Sequence, residues 1–112
     1  MNTLKNSVTL IGRLGTDPEI RAFESGRKLA SFPVATNETY TNDKGEKVDD
    51  TQWHNITAWG RNAENAETIL KKGSYVALRG KLIYHSFEQD GNTCYVSEVQ
   101  VLEFLELGKK ID

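Results

Sequence analysis

Between Thr51 and Arg61 the chain reads TQWHNITAWGR, and the alternation in that stretch limits both its conformation and its surroundings. Successive side chains of a β-strand point to opposite sides, so Trp53, Asn55, Thr57 and Trp59 share one face while His54, Ile56 and Ala58 share the other. Only the second set suits a core. The first mixes two indoles with an amide and a hydroxyl, which fits a wet face; the alternative is a second layer that buries both indoles and satisfies Asn55 and Thr57 locally.

The flanking sequence supplies more strands. Ser7 to Leu14 alternates, with Gly12 and Gly15 available for a bend or bulge, and Asp17-Pro18 forces an extended or turning conformation. Glu19 to Phe23 continues as strand up to a Ser25-Gly26 turn. Leu29 to Asn37 follows with Ala30, Phe32 and Val34 on one face, and Pro33 places it near an edge or bulge. Tyr40 to Asp50, polar around Asn42-Asp43-Lys44-Gly45, reads as a projecting hairpin loop.

After the tryptophan strand, Asn62 is expected to cap a short helix with Ala63, Ala66, Ile69 and Leu70 as its apolar stripe, Lys71 and Lys72 at its C-terminal end and Gly73 stopping it. Ser74 to Phe87 is a long strand with Val76, Leu78, Gly80 and Leu82 on one face and Arg79, Lys81 and Phe87 among the residues on the other. A turn at Asp90-Gly91-Asn92 returns the chain through Thr93 to Leu105. Five main strands with one helix between the third and fourth predict an all-β protein with one short helix, an OB-fold five-stranded Greek-key barrel over residues 1–105, followed by a short C-terminal end, 106–112.

A chain of 112 residues makes one domain, and neither a signal peptide nor a membrane span is legible in it, so a cytoplasmic protein with no membrane contact is expected. The single cysteine, Cys94, cannot form an internal disulfide, and two histidines without a Cys or His cluster predict no metal and no cofactor. A net charge of −2 counts against nucleic acid. Screening confines each charge to about 8 to 10 Å, however, so location outweighs the total. Acidic residues gather in Asp43 to Asp50, at Glu64 and Glu67, and at Glu98, Glu103 and Glu106; basic ones lie elsewhere, Arg13, Arg21, Arg27 and Lys28 among them.

On such a barrel the outward faces of the third and fourth strands combine Trp53, Trp59, Arg79, Lys81 and Phe87, with Tyr40 at the base of the charged loop and Arg61 and Lys72 bracketing the helix. Aromatic rings stack on any base and cations neutralise phosphate, which is the chemistry a single-stranded nucleic acid requires. Taken singly, each cation reads as a solvated surface charge, and Phe87 reads equally well as a staple for its own hairpin. Tyr75, Tyr84 and Tyr95 read as packing residues. His54 faces away from the indoles and reads as a satisfied buried or interface histidine.

Four segments carry a specific resemblance: NSVTLIGRLGTDPEIR (Asn6 to Arg21), FPVATNE (Phe32 to Glu38), TQWHNITAWGR, and LKKGSYVALRGKL (Leu70 to Leu82). In this order and almost without gaps, they resemble the DNA-binding domain of bacterial single-stranded DNA-binding proteins over nearly the whole chain. The resemblance implies an OB-fold subunit, a homotetramer, and single-stranded DNA wrapped around it in replication, repair and recombination. It makes Trp53 a base-stacking residue, places Tyr40, Trp59 and Phe87 at stacking positions, sets Arg61, Lys72 and Lys81 at or beside phosphate-approaching positions, and puts His54 at the subunit interface. Asn55 stands where many relatives carry a basic residue. The sequence also ends at Gly108-Lys-Lys-Ile-Asp112 without an acidic tip, so partner recruitment through such a tip is not expected.

The expected protein is therefore a non-enzymatic binder of single-stranded DNA. Its rivals are an OB-fold RNA or primosome-accessory protein, a nuclease on the same barrel, and a purely structural oligomer. No catalytic residue is expected: the sequence has neither carboxylates clustered in a metal-binding pattern nor a nucleophile beside a histidine.

Overall fold

The computed structural model describes residues 3–108. After a short 3-10 turn, the elements are β1 (Val8–Leu14), β2 (Glu19–Ala22), β3 (Lys28–Thr41), β4 (Lys47–Trp59), α1 (Arg61–Ile69), β5 (Tyr75–Gln89) and β6 (Asn92–Gly108). Five strands run in the order β1-β5-β6-β4-β3, and β1 pairs β3 through Arg13↔Ala35 and Leu14↔Val34 to close the barrel, while β2 extends β3 at the side. Every pairing is antiparallel except β4 with β6, at Ile56↔Val99 and Thr57↔Gln100. The expected OB-fold barrel is the observed one.

Closure needs a residue without a side chain. A Cβ on Gly12 would stand 2.1 Å from the Ala35 carbonyl oxygen, so Gly12 serves the close approach of β1 to β3. Pro33, which has no amide to donate, sits where β3 passes from β2, last paired at Ser31, to β1, first paired at Val34. The inward residues of all five barrel strands meet in one core, with Val34, Ile56 and Val76 fully buried at its centre. Ala63, Ala66 and Leu70 of the helical segment complete that core.

Four local expectations change. Asn62 does not cap α1: Gly60 holds the cap position with no side-chain bond, and the Asn62 amide lies 3.4 Å from the Val101 and Leu102 carbonyls. Ile69 is exposed, because the helix ends there and Leu70 turns extended to enter the core in its place. Tyr40 to Asp50 is mostly strand, since cross-strand pairs from Thr41↔Lys47 to Glu38↔Asp50 keep the ladder running, leaving a turn in which the Asn42 side-chain oxygen accepts the amides of Lys44 and Glu46 at 2.9 Å each. From Gly80 the β5–β6 ladder runs without a register shift to Gln89↔Asn92 around Asp90 and Gly91, both at positive φ (54° and 81°), which makes a second projecting ribbon. β6 reaches Gly108, beyond the expected end at Leu105, and residues 109–112 of the C-terminal end lie outside the described residues.

Candidate nucleic-acid interface

Alternation along β4 turns Ile56 and Ala58 into the core and leaves Trp53 on the surface with 62% of its area exposed. Asn55, Thr57 and Trp59 follow it on the same outer face, with Asn55 exposed and the other two half-buried. The wet-face reading of this strand holds. Trp53 and Trp59 stand six positions apart, a separation on the order of 20 Å along the strand. Beside the middle of the strand lies a groove of about 710 Å³ lined by Asn55, Thr57, Ser31, Pro33, Thr16, Asp17 and Glu19 on one side and Val96 and Glu98 on the other.

The far wall of that groove is the β5–β6 ribbon. Lys81, Ile83, His85 and Phe87 share its groove-side face, because their partners on β6 run Gln100, Glu98, Val96 and Cys94 and the first two lie beside β4. Lys81 thus reaches the tryptophan strand across one intervening strand, in the row Lys81–Gln100–Thr57, so β6 separates the third and fourth main strands. Glu98 stitches the ribbon down: its carboxylate accepts from the Thr57 hydroxyl and lies 2.8 Å from His85 Nε2. Asn55 adds an amide contact to the Ser97 carbonyl. Phe87 is carried at the outer end of this anchored ribbon, 46% exposed.

Lys72 comes to the opposite rim because its backbone amide donates to the Asp17 carboxylate at 2.7 Å, which ties the loop after α1 to the β1–β2 loop. Two of the groove's acidic groups, Asp17 and Glu98, are therefore engaged in holding its walls. Arg61 opens α1 two residues past Trp59 and is exposed.

Three predicted residues sit differently. Arg79 lies one row off the groove, where it faces Thr9 and Glu103 and pairs with Glu103 at 2.6 Å. Tyr40 is in register with Val48, five positions beyond the Ala35↔Trp53 pair, so alternation gives it the face of His54 and not that of Trp53. Trp59 is not bare: the Phe23 ring stacks on it with centroids 5.6 Å apart, and Arg27 lies 4.5 Å from its centroid. His54 accepts or donates a 2.9 Å bond with the Thr36 hydroxyl on the face away from the groove.

Sequence reasoning passed over Gly15, on which Trp53 rests, and Phe23 as site residues, and it counted Arg27 only among the scattered cations. The only signal for the last two was their position on either side of the Ser25-Gly26 turn. Tyr84 and Tyr95 are more than 70% exposed and do not pack as expected, because both lie on the ribbon face opposite Ile83, His85 and Phe87, where it projects beyond the barrel; Tyr75 is half-buried, with Arg13 lying 4.9 Å over its ring. Among the described residues no group of three or more His, Cys, Asp or Glu is placed to hold a metal, and no helix is long and apolar enough to cross a membrane.

Comparison with known proteins agrees with this geometry. The profile of the Single-strand binding protein family matches residues 5–107. A Neisseria meningitidis single-stranded DNA-binding protein is 45% identical over 77% of this chain and 50% of its own length. Single-stranded DNA-binding protein A of Bacillus subtilis is 42% identical over 90% of this chain and 59% of its own, and single-stranded DNA-binding protein 1 of Xylella fastidiosa is 38% identical over 96% and 80%. The chain thus spans about half the length of the Neisseria relative and most of the Xylella one. Among solved structures, a Plasmodium falciparum SSB in complex with ssDNA superposes with a TM-score of 0.85 at 28% identity, covering 91% of this chain and 94% of that one. A deletion mutant of the Thermus aquaticus single-stranded DNA binding protein gives a TM-score of 0.81 at 27% identity, covering 91% and 50%. With the barrel, the aromatic groove and a profile match along almost its whole length, this chain belongs to the single-strand binding protein family.

Proposed function

We propose that this protein binds single-stranded DNA with little sequence preference and protects it during replication, repair and recombination in the cytoplasm, without catalysing a reaction. The observation that carries this reading is the open indole of Trp53 on the same outer strand face as Asn55 and Thr57 of the groove, with Trp59 further along that strand and Phe87 on the ribbon that forms the far wall. Flat rings spaced along a groove receive successive bases whatever their identity, since every base presents a π face. Lys81 and Lys72 flank the groove, and Arg61 lies just past Trp59, where the backbone phosphates of such a strand would run. Arg79 contributes from one row away, and Tyr40 meets the strand only where it continues around the β3–β4 ribbon. Binding seen in the Plasmodium relative supports the same assignment.

The protein acts as a homo-oligomer, a homotetramer in this reading. Support comes from the outer faces of β1, β5 and β6, where the row Ile11–Ala77–Leu105 is apolar although Ile11 is 51% and Leu105 64% exposed. Such a stripe on a sheet face marks a contact surface. His54, turned away from the groove, belongs to the interface as well.

Titrating the tryptophan emission with oligo-dT tests the central claim: stacking on Trp53 quenches it, and an equal-length RNA oligonucleotide competes less well. Unchanged emission at saturation, with binding shown by mobility shift, would place the strand elsewhere; stronger competition by RNA would transfer the assignment to an RNA-binding OB-fold.

A further inference from the structure

Trp59 reaches the surface already covered by a cation and a second ring. The row Arg21–Leu29–Trp59 brings the β2–β3 hairpin alongside the end of β4, and the hairpin turn is closed by the Phe23 amide donating to the Arg27 carbonyl and the Gly26 amide donating to the Phe23 carbonyl, each at 2.9 Å. This turn presents Phe23 to the indole as a stacked neighbour inclined by 22°, lays Arg27 4.5 Å from the indole centroid, and sets Arg21 5.6 Å from the Phe23 ring. Neither arginine has a carboxylate within ion-pair distance among the described residues, whereas the adjacent Lys28 pairs with Glu67 at 3.1 Å. Both guanidinium groups are exposed and rest on rings.

A cation over an exposed aromatic face is held weakly, by less than a base stacked on the same ring in a binding groove. A guanidinium released from a ring also gains a bidentate match to phosphate. We propose that Arg27 and Trp59 form an exchange station: an incoming base takes the indole surface that Arg27 covers, and Arg27 moves to the phosphate of that strand, with Phe23 bracing the indole from the hairpin. The inference rests on reading the outer face of β4 as the single-stranded DNA surface. It assigns to Phe23 and Arg27 roles that come from the hairpin and not from the groove floor, and it makes stacking and phosphate neutralisation at this point one coupled event.

The test uses the whole 112-residue chain carrying Trp53→Phe, which leaves Trp59 as its single tryptophan and keeps an aromatic ring at position 53. Affinity for oligo-dT is measured across a salt series in this background and with Arg27→Gln or Arg27→Lys added, with thermal melting to confirm the fold. Saturation should quench Trp59. Arg27→Gln should make the log-log salt slope shallower by about 0.7, the weight of one phosphate on a single strand, while Arg27→Lys should retain the parent slope. Trp59 emission that does not respond at saturation, or a slope identical in the parent and Arg27→Gln, overturns the exchange. A wild-type protein that fails to bind oligo-dT overturns the broader reading as well; one that binds while Trp59 stays unresponsive overturns the exchange alone.

Discussion

The indole of Trp53 lies against Gly15 so closely that a Cβ there would stand 2.6 Å from its ring. One side of the indole is thus braced by the β1–β2 connection, and the exposed remainder is left for a ligand. Gly15→Ala should tip the ring off this seat, weaken oligo-dT binding by up to the roughly 1 to 3 kcal/mol that one stacked base supplies, and leave the barrel folded. Fluorescence titration and thermal melting, run together, check both halves. Wild-type affinity in a folded Gly15→Ala protein would show that the seat does not matter.

Ile56 and Trp53 sit on the same strand with opposite parity, one 1% and the other 62% exposed. Their truncations should therefore separate stability from binding. Ile56→Ala opens a cavity at the barrel centre and should cost about 2 to 5 kcal/mol of unfolding free energy while the folded fraction still binds. Trp53→Ala should leave the denaturation midpoint nearly in place and weaken binding by about 1 to 3 kcal/mol. A common effect of both on stability would mean that the Trp53 ring is part of the core.

The split between these two residues was legible from TQWHNITAWGR alone, because a period of two is a local property of the backbone. So was the barrel, since alternating runs, turn residues and one amphipathic helix all point the same way. What the sequence did not disclose were relationships set by barrel closure. Arg79 and Lys81 share a face of one strand, yet a bulge between Arg79 and Gly80 and the register with β6 send the first to Glu103 and the second to Gln100 beside Thr57. Tyr40 reads as a neighbour of the groove until counting rungs from Ala35↔Trp53 puts it on the other face of its ribbon. Phe23 and Trp59 lie 36 positions apart and meet only because β2 folds back on β3.

Unequal electrostatic weights follow for the two cations. Lys81 makes no ion pair among the described residues and lies in the row with Gln100 and Thr57, so Lys81→Ala should reduce the salt dependence of binding by about 0.7 in log-log slope. Arg79 already has its charge opposed by Glu103 at 2.6 Å. Arg79→Ala should change the slope by less. Salt titrations of the two variants in parallel decide the matter, and an inverted ranking would move the phosphate path onto the β1–β5–β6 face.

Glu98 joins three strands through Thr57 and His85, and its side chain is only 16% exposed. Replacing it with Ala removes both bonds at the root of the ribbon that carries Phe87. Hydrogen exchange of the amides near Phe87 should accelerate, and affinity for oligo-dT should fall although Glu98 itself is anionic. Simple relief of charge repulsion would instead tighten binding with exchange unaltered, and that outcome would remove the anchoring role.

The Ile11–Ala77–Leu105 row predicts how the assembly is built. These three residues occupy consecutive strands in one register, so their side chains form a flat stripe, bordered on one flank by the Arg79–Glu103 pair. Leu105 leaves most of its surface in solvent within a single barrel, and a charge placed there should cost the isolated fold little, within about 0.5 kcal/mol. Buried against another copy, the same charge would lack a partner and destabilise the contact strongly. Leu105→Glu should therefore lower the mass seen by light scattering while circular dichroism stays native, and His54→Lys should do the same if the histidine face forms a second contact. Oligo-dT binding per barrel should survive in the smaller species, because the groove lies along β4 and the opposite ends of β5 and β6, away from Ala77 and Leu105. A wild-type monomer at micromolar concentration would refute the assembly outright, and an unchanged mass in Leu105→Glu would assign it to a surface other than this stripe.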